Sequence, residues 1–287
     1  MNNLLFMAGH KLFGTKHIII IVISIALIVG LYFLSRKLSI KTLSKVLLGV
    51  GIVSEFTKIF SYIVMNENKV YTTFYKLVEG ENGEQVFEAV ESYFAGVLPK
   101  TDLPFQLCSI QIIFILIVNI AKSEKLKRFI LSFMMPSCLF GGLAAILIAT
   151  DSARNVWVIT LQYFLYHIAI VVFALRLLTA KEMKWRAKDL LNAYIMIVGI
   201  MFFSIYINSI LFDGISNINF MYVVKPPQSG LPYLNDKNGW LSYIIKYMVL
   251  VVGCIGITYI GAIINTIKDK TIAKREAQET QRELIEK

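Results

Sequence analysis

The chain has 287 residues, of which 56% are hydrophobic and only 17% are charged. This composition leaves too few polar side chains to cover a water-soluble surface, so it excludes an ordinary soluble domain and predicts an integral membrane protein. The formal net charge is +10, but Lys and Arg lie in short tracts between apolar runs. That pattern orients membrane helices and argues against nucleic-acid binding.

Seven apolar segments approach the length of about 20 residues that a helix needs to cross a bilayer. They predict an all-α fold: a polytopic membrane protein with a seven-transmembrane helix bundle over residues 1–267. The first segment is too long for a signal peptide and lacks a cleavage site, so it is predicted to be a retained membrane anchor. The segments are 17–35, 42–65, 104–121, 129–149, 156–178, 190–212 and 240–265.

The connections between these segments predict how the bundle is oriented, because basic loops stay on the cytoplasmic side. Lys and Arg cluster after the first, third and fifth segments and in the charged tail 268–287, whereas the long loop 66–103 is rich in Glu. We therefore expect the N-terminus outside the cell, an extracellular loop 66–103 and a cytoplasmic C-terminus. The loop carries Phe87, Val90 and Phe94 at helical spacing, which predicts an amphipathic helix lying on the surface or, as a lid, over a cavity. The tail is predicted to be a solvated helical extension.

Polar and ionisable side chains inside the predicted helices are informative, because in lipid they need a partner or a wet cavity. Most of them fall in the helix halves that are predicted to lie near the outer surface. Two interpretations are open: the side chains line an outward-facing cavity, or they only hydrogen-bond the helices together. The residues are Glu55, Lys58, Gln106, Cys108, Gln111, Gln162, Tyr166, His167 and Asn208.

Cys108 and His167 are the pair with the clearest chemical meaning. An imidazole can take the proton of a thiol, and the resulting thiolate can attack an ester carbonyl and hold the acyl group as a thioester. The structural alternative is that the cysteine packs in an apolar helix and the histidine only donates a hydrogen bond. Glu55 and Lys58 are interpreted as a buried ion pair that fixes the second helix, and the alternative is that Glu55 orients His167 or carries protons.

Small residues in two of the predicted helices indicate close helix contacts. Gly141 and Gly142 follow Pro136 in the fourth segment, and Gly253 and Gly256 lie in the seventh. No metal-ligand cluster and no cofactor motif is visible in the sequence, so neither a metal nor a cofactor is predicted.

Five short motifs resemble, in chain order, the bacterial YwaF family of integral membrane proteins. The animal relatives of that family are described as transmembrane acyltransferases acting on lysophospholipids. The motifs are LPFQLC at 103–108, FGGL at 140–143, QYFLYH at 162–167, WRAKD at 185–189, and NFMY at 219–222 followed by KP at 225–226.

The resemblance implies a catalytic Cys and His, which match Cys108 and His167. It implies transfer of a fatty acyl chain from a phospholipid to a lysophospholipid-type acceptor without acyl-coenzyme A, in the cytoplasmic membrane of a bacterium. The rival predictions are a transporter or sensory seven-helix module with an outward-facing polar pocket, and a lipid hydrolase using the same pair. The predicted substrate-binding residues are Gln106, Gln111, Gln162, Tyr166, Asn208, Glu55 and Lys58.

Overall fold

Each predicted apolar segment corresponds to a helix in the computed structural model, which describes residues 13–64, 70–79, 84–94, 98, 100–148, 157–212, 218–227 and 233–285. The helices are α1 Thr15–Ser35, α2 Ile40–Val64, α3 Leu107–Ile120, α4 Glu124–Ile148, α5 Trp157–Thr179, α6 Ala187–Leu211 and α7 Trp240–Ile285. Short 3-10 turns lie at Lys100–Asp102 and Phe220–Tyr222. The predicted helical tail is continuous with α7.

Five helices in the described part of the chain are long and apolar enough to cross a membrane. They are α1, α4, α6, residues Val158–Thr179 of α5 and Trp240–Lys268 of α7. The helix α3 has 14 residues, which is about 21 Å at 1.5 Å per residue and shorter than the hydrocarbon core. The helix α2 is longer but carries four charged side chains, Lys41, Lys45, Glu55 and Lys58. The polytopic membrane architecture is thus supported, while the number of seven crossings and the orientation stay predictions.

The core of the bundle lies along α4 and α5. Phe133, Met134 and Met135 of α4 and Ala174 and Leu177 of α5 are fully buried. In contrast, α1, α6 and α7 expose many large aliphatic and aromatic side chains. Because lipid rather than water solvates such faces, these three helices are suited to the periphery of a bundle in a bilayer.

Gly142 brings α4 into close contact with α5. A Cβ atom at this position would lie 2.5 Å from Cγ2 of Val171 and 3.3 Å from the backbone oxygen of His167. The FGGL motif therefore positions the part of α5 that carries His167. The predicted close contact is wrong for Gly253, because a side chain there would meet no atom of the described residues within 4 Å.

The WRAKD motif joins helices at the end of the bundle where α4 and α6 begin. The Arg128 guanidinium on α4 donates two hydrogen bonds to the Asp189 carboxylate on α6, at 2.8 and 2.7 Å. The backbone N–H of Arg186 donates to the same carboxylate at 2.8 Å, and the Trp185 indole donates to a backbone carbonyl of α5 at 2.9 Å. This motif thus has a structural role remote from Cys108.

The amphipathic helix predicted within 66–103 is wrong. Strands β1 Val70–Glu79 and β2 Gln85–Phe94 form an antiparallel hairpin that contains Phe87, Val90 and Phe94. The segment 70–79 is rich in β-branched and aromatic residues, which favour a strand. Three apolar residues at helical spacing form too short a pattern to outweigh the pairing of β2 with β1. The all-α prediction therefore holds for the bundle but misses this hairpin.

Candidate functional site

A cavity of about 350 Å³ lies at the end of the bundle where α3 begins. It is surrounded by the second half of α2, the first turns of α3, the first half of α5 and the segment that follows α6. Most of the predicted site residues line this cavity, whereas Gln111 and Asn208 lie outside its wall. The predicted residues that line it are Glu55, Lys58, Gln106, Cys108, Gln162, Tyr166 and His167.

Cys108 lies in the first turn of α3 and contributes to the cavity wall. The first backbone hydrogen bond of this turn runs from the Ile110 N–H to the Gln106 carbonyl at 3.0 Å. The amides of residues 107–109 therefore have no acceptor within the helix. Amides at the positive end of the helix dipole are suited to donate hydrogen bonds to an oxyanion that forms at this position.

His167 is nearly completely buried, and its ring orientation is fixed by a hydrogen bond. The Nδ1 atom lies 2.6 Å from the backbone carbonyl of Tyr163. Because a carbonyl only accepts hydrogen bonds, Nδ1 carries the proton, and in the neutral ring Nε2 has the free lone pair. No described residue donates a hydrogen bond to Nε2. The imidazole also packs on the Tyr163 ring with centroids 4.2 Å apart. With its orientation fixed in this way, the ring can accept a proton through Nε2.

A hydrogen bond connects the helices that carry Cys108 and His167. The hydroxyl of Tyr166 donates to the backbone carbonyl of Cys108 at 2.8 Å. This bond fixes the first turn of α3 against α5 one residue before His167. In the described part of the chain the thiol and the imidazole line the same cavity but are not hydrogen-bonded to each other.

Glu55 and Lys58 form an ion pair at 2.7 Å, as one of the two interpretations of the sequence predicted. The ammonium of Lys58 also donates to the backbone carbonyl of Asp102 at 3.1 Å, and the Tyr62 hydroxyl donates to the Asp102 carboxylate at 2.9 Å. Glu55 does not orient His167, whose Nδ1 is bonded to α5 itself. Tyr62 and Asp102 also line the cavity but were not among the predicted site residues. Tyr62 continues the polar face of α2 that Glu55 and Lys58 begin, whereas nothing in the sequence indicated Asp102.

The segment 218–227 covers one side of the cavity and is held by side chains from three helices. The Asn208 amide of α6 donates to the Phe220 carbonyl at 3.1 Å and accepts from the Phe220 N–H at 2.8 Å. The Gln106 Oε1 atom accepts from the Met221 N–H at 3.2 Å. The Trp240 indole of α7 donates to a carbonyl of the segment at 2.9 Å. Asn208 is therefore an anchor of the cavity wall rather than a group facing a substrate.

The backbone of this segment adopts an uncommon conformation that its polar contacts maintain. Met221 and Tyr222 have φ values of 59° and 53°, in the left-handed region that non-glycine residues rarely adopt. The Asn219 side chain accepts from the Val224 N–H at 3.1 Å and donates to the Lys225 carbonyl at 2.8 Å. The NFMY and KP motifs thereby form a closed turn whose Asn219, Tyr222 and Lys225 line the cavity.

The remaining polar residues contribute to helix packing. Gln111 is fully buried and donates to the Ser137 hydroxyl of α4 at 2.9 Å. It therefore lies between helices and not at the cavity, as the hydrogen-bonding interpretation predicted. Gln162 lines the cavity, but its amide also donates to the Ser54 hydroxyl of α2. The polar side chains thus agree with both interpretations: some line the cavity at one end of the bundle, and others form hydrogen bonds between the helices around it.

Comparison with known proteins identifies one family. A family model described as the TMEM164 family matches residues 12–259, which include every helix from α1 to α6 and the first part of α7. No curated protein matches the chain, and no solved structure matches it either. The matched family is a transmembrane protein family, in agreement with the apolar helices, while the resemblance to the bacterial YwaF family stays a prediction.

Proposed function

The chain belongs to the TMEM164 family, and we propose that it is a membrane-embedded lipid acyltransferase with Cys108 as nucleophile and His167 as general base. One observation carries the proposal: both side chains line one cavity, and the ring of His167 has its Nε2 lone pair available. The substrates are a phospholipid and a lysophospholipid-type acceptor. The proposed site of action is the cytoplasmic membrane of a bacterium, as the YwaF resemblance implies.

The reaction that we propose has two half-reactions. In the first, Nε2 of His167 takes the thiol proton of Cys108 while Sγ attacks the carbonyl carbon of a phospholipid ester. The bond from that carbon to the glycerol oxygen breaks, and the departing oxygen takes the proton from Nε2. The products are a lysophospholipid and an acyl-thioester on Cys108.

In the second half-reaction the acyl group leaves the enzyme. The hydroxyl of a lysophospholipid acceptor gives its proton to Nε2 of His167 and attacks the thioester carbon. The carbon–sulfur bond breaks, and the sulfur of Cys108 takes the proton back. The acyl chain moves between two oxygens with no net change in bonding type, so neither acyl-coenzyme A nor any other cofactor is required.

Gln106 is the side chain that we propose as donor to the oxyanion. Gln106 lies two residues before Cys108. Its Oε1 atom accepts from the Met221 N–H, so its amide N–H groups remain available to a substrate. The other polar side chains that could donate are engaged. The Tyr166 hydroxyl donates to a backbone carbonyl, and the amides of Gln162 and Asn208 donate to neighbouring segments. Amides of residues 107–109 would add to this stabilisation.

The rival proposals use the same cavity with a different outcome. In a transporter or sensory module, Glu55, Lys58 and His167 would contact the ligand, and no thioester would form. The ion pair between Glu55 and Lys58 favours a structural role for these two residues. In a hydrolase, water would replace the acceptor, and free fatty acid would appear without an acylated product.

His167→Gln is expected to lower acyl transfer by roughly 10² to 10⁴-fold, the usual contribution of a general base. The residual rate should rise with pH, because without the base the thiol must lose its proton to the solvent, and it does so more often at higher pH. The measurement uses the purified full chain in vesicles that contain phosphatidylcholine with deuterated acyl chains and an unlabelled lysophospholipid. Mass spectrometry then quantifies labelled diacyl product and labelled free fatty acid at each pH.

His17→Gln is the matched control, because His17 is a buried histidine outside the cavity wall. Its imidazole accepts from the Phe13 N–H at 3.0 Å and lies 3.1 Å from the Ile146 carbonyl. This variant should keep the wild-type rate and the wild-type pH profile. An unchanged rate in His167→Gln would refute the proposed base, and labelled fatty acid without labelled diacyl product would favour the hydrolase.

A further inference from the structure

A second cavity, of about 720 Å³, lies at the opposite end of the bundle. Its wall is formed by the end of α1, the connection to α2, the end of α5 and the middle of α7. Its lining is strongly basic, with a single carboxylate among the described residues. The cationic residues are Arg36, Lys37, Arg176, Lys181 and Lys268, and the carboxylate belongs to Glu182.

Arg176 is a buried cation in the wall of this cavity. Only 7% of its surface is exposed. Its Nη2 atom donates to the Leu38 carbonyl at 3.0 Å. Its Nε atom is buried and has no acceptor among the described residues, and no described carboxylate forms an ion pair with it. Burying a guanidinium without an anion is unfavourable, so a bound anion would stabilise this arrangement.

Glu182 does not neutralise the cavity. Its Oε1 atom accepts from the Ile40 N–H at 2.6 Å, which places this carboxylate at the first turn of α2. That position is favourable for a negative charge, because the backbone amides of a helix start are unpaired. The carboxylate is therefore engaged with the helix, and the positive charge of the cavity remains in excess.

We propose that this basic cavity binds the phosphate group of an anionic molecule. Guanidinium groups match the geometry of phosphate oxygens, and the surrounding ammonium groups add attraction without a fixed geometry. Basic pockets between membrane helices suit acidic lipid headgroups, although a free phosphate presents the same chemistry. This site is separate from the Cys108 cavity and does not depend on the proposed acyl transfer.

The test uses the purified full chain in nanodiscs of phosphatidylcholine, with or without phosphatidylglycerol, and native mass spectrometry of the lipids that the protein retains. The wild type should retain phosphatidylglycerol preferentially. Arg176→Gln should lower that retention roughly tenfold, as expected for losing hydrogen bonds to a charged group. The double variant Lys37→Gln, Lys181→Gln changes only exposed residues and should lower it roughly threefold. The matched control is Lys125→Gln, an exposed lysine at the same end that lies outside the cavity wall.

A second arm separates the two sources of phosphate. Inorganic phosphate is added to the protein in nanodiscs of phosphatidylcholine alone, and thermal unfolding is followed. Stabilisation that Arg176→Gln abolishes supports a soluble phosphate ligand, and selective retention of phosphatidylglycerol supports a lipid headgroup. Absence of both effects in the wild type would overturn the proposal. Equal losses of phosphatidylglycerol retention in the Lys125→Gln control and in the double variant would also overturn it. This comparison decides the question even if Arg176→Gln does not fold.

Discussion

Cys108→Ala is expected to abolish acyl transfer between phospholipid and lysophospholipid, with a loss of roughly 10⁴-fold or more, because no other group in the proposed mechanism can form the thioester. The chain should still fold, since Cys108 lies at the half-buried start of α3 and its contact with Tyr166 uses the backbone carbonyl. The measurement is the deuterated acyl-transfer assay, together with thermal unfolding of the same preparation.

Cys254→Ala controls for the loss of a thiol as such. Cys254 is also a free, half-buried cysteine, but it lies on α7 outside the cavity wall. This variant should transfer acyl chains at the wild-type rate. Full activity in Cys108→Ala would contradict the proposed nucleophile. It would direct attention to the transporter and sensory alternatives, in which changes at Glu55 rather than at Cys108 alter the function.

Gly142→Ala is expected to have the largest effect on stability. The added methyl group would lie 2.5 Å from Cγ2 of Val171 and 3.1 Å from Cγ1 of Ile170. Both of those side chains are fully buried, so α4 and α5 would have to separate. Overpacking of this kind destabilises by about 1 to 3 kcal/mol. Because the same methyl would press on the backbone of His167, acyl transfer should fall as well. Thermal unfolding in detergent and the acyl-transfer assay measure the two effects.

The control for the glycine substitution is Gly199→Ala in α6. A Cβ atom there would meet no atom of the described residues within 4 Å. Alanine is the better helix former, so this variant should unfold at the same temperature or somewhat higher, with a gain of up to about 1 kcal/mol. Equal shifts in the two variants would show that the close contact between α4 and α5 does not matter for stability.

Hydropathy predicted the seven helices well because apolar length is a local property of the sequence. The positions of Cys108 and His167 at one end of the bundle also followed, since residues near the start of α3 and in the first half of α5 lie at the same end in any antiparallel arrangement. The ion pair of Glu55 with Lys58 is equally local, because residues three apart share a helix face.

The features that the sequence analysis missed depend on contacts between distant parts of the chain. Asn208 and Gln111 are polar residues in apolar helices, as is Gln162, and nothing local separates a cavity-lining amide from one that bonds a neighbouring backbone. The turn at 219–225 lines the cavity because Gln106, Asn208 and Trp240, which are distant in the sequence, hold it there. The hairpin was missed because its stability comes from pairing of two strands and not from periodicity within one.

The most direct test of the proposed chemistry is the mass of the enzyme itself. The wild type is incubated with phosphatidylcholine that carries deuterated acyl chains, in the absence of an acceptor, and then digested and analysed by mass spectrometry. A deuterated acyl group on the peptide that contains Cys108, removable by hydroxylamine and greatly reduced in His167→Gln, is the predicted result. A peptide that stays unmodified while labelled diacyl product forms after an acceptor is added would contradict a thioester at Cys108.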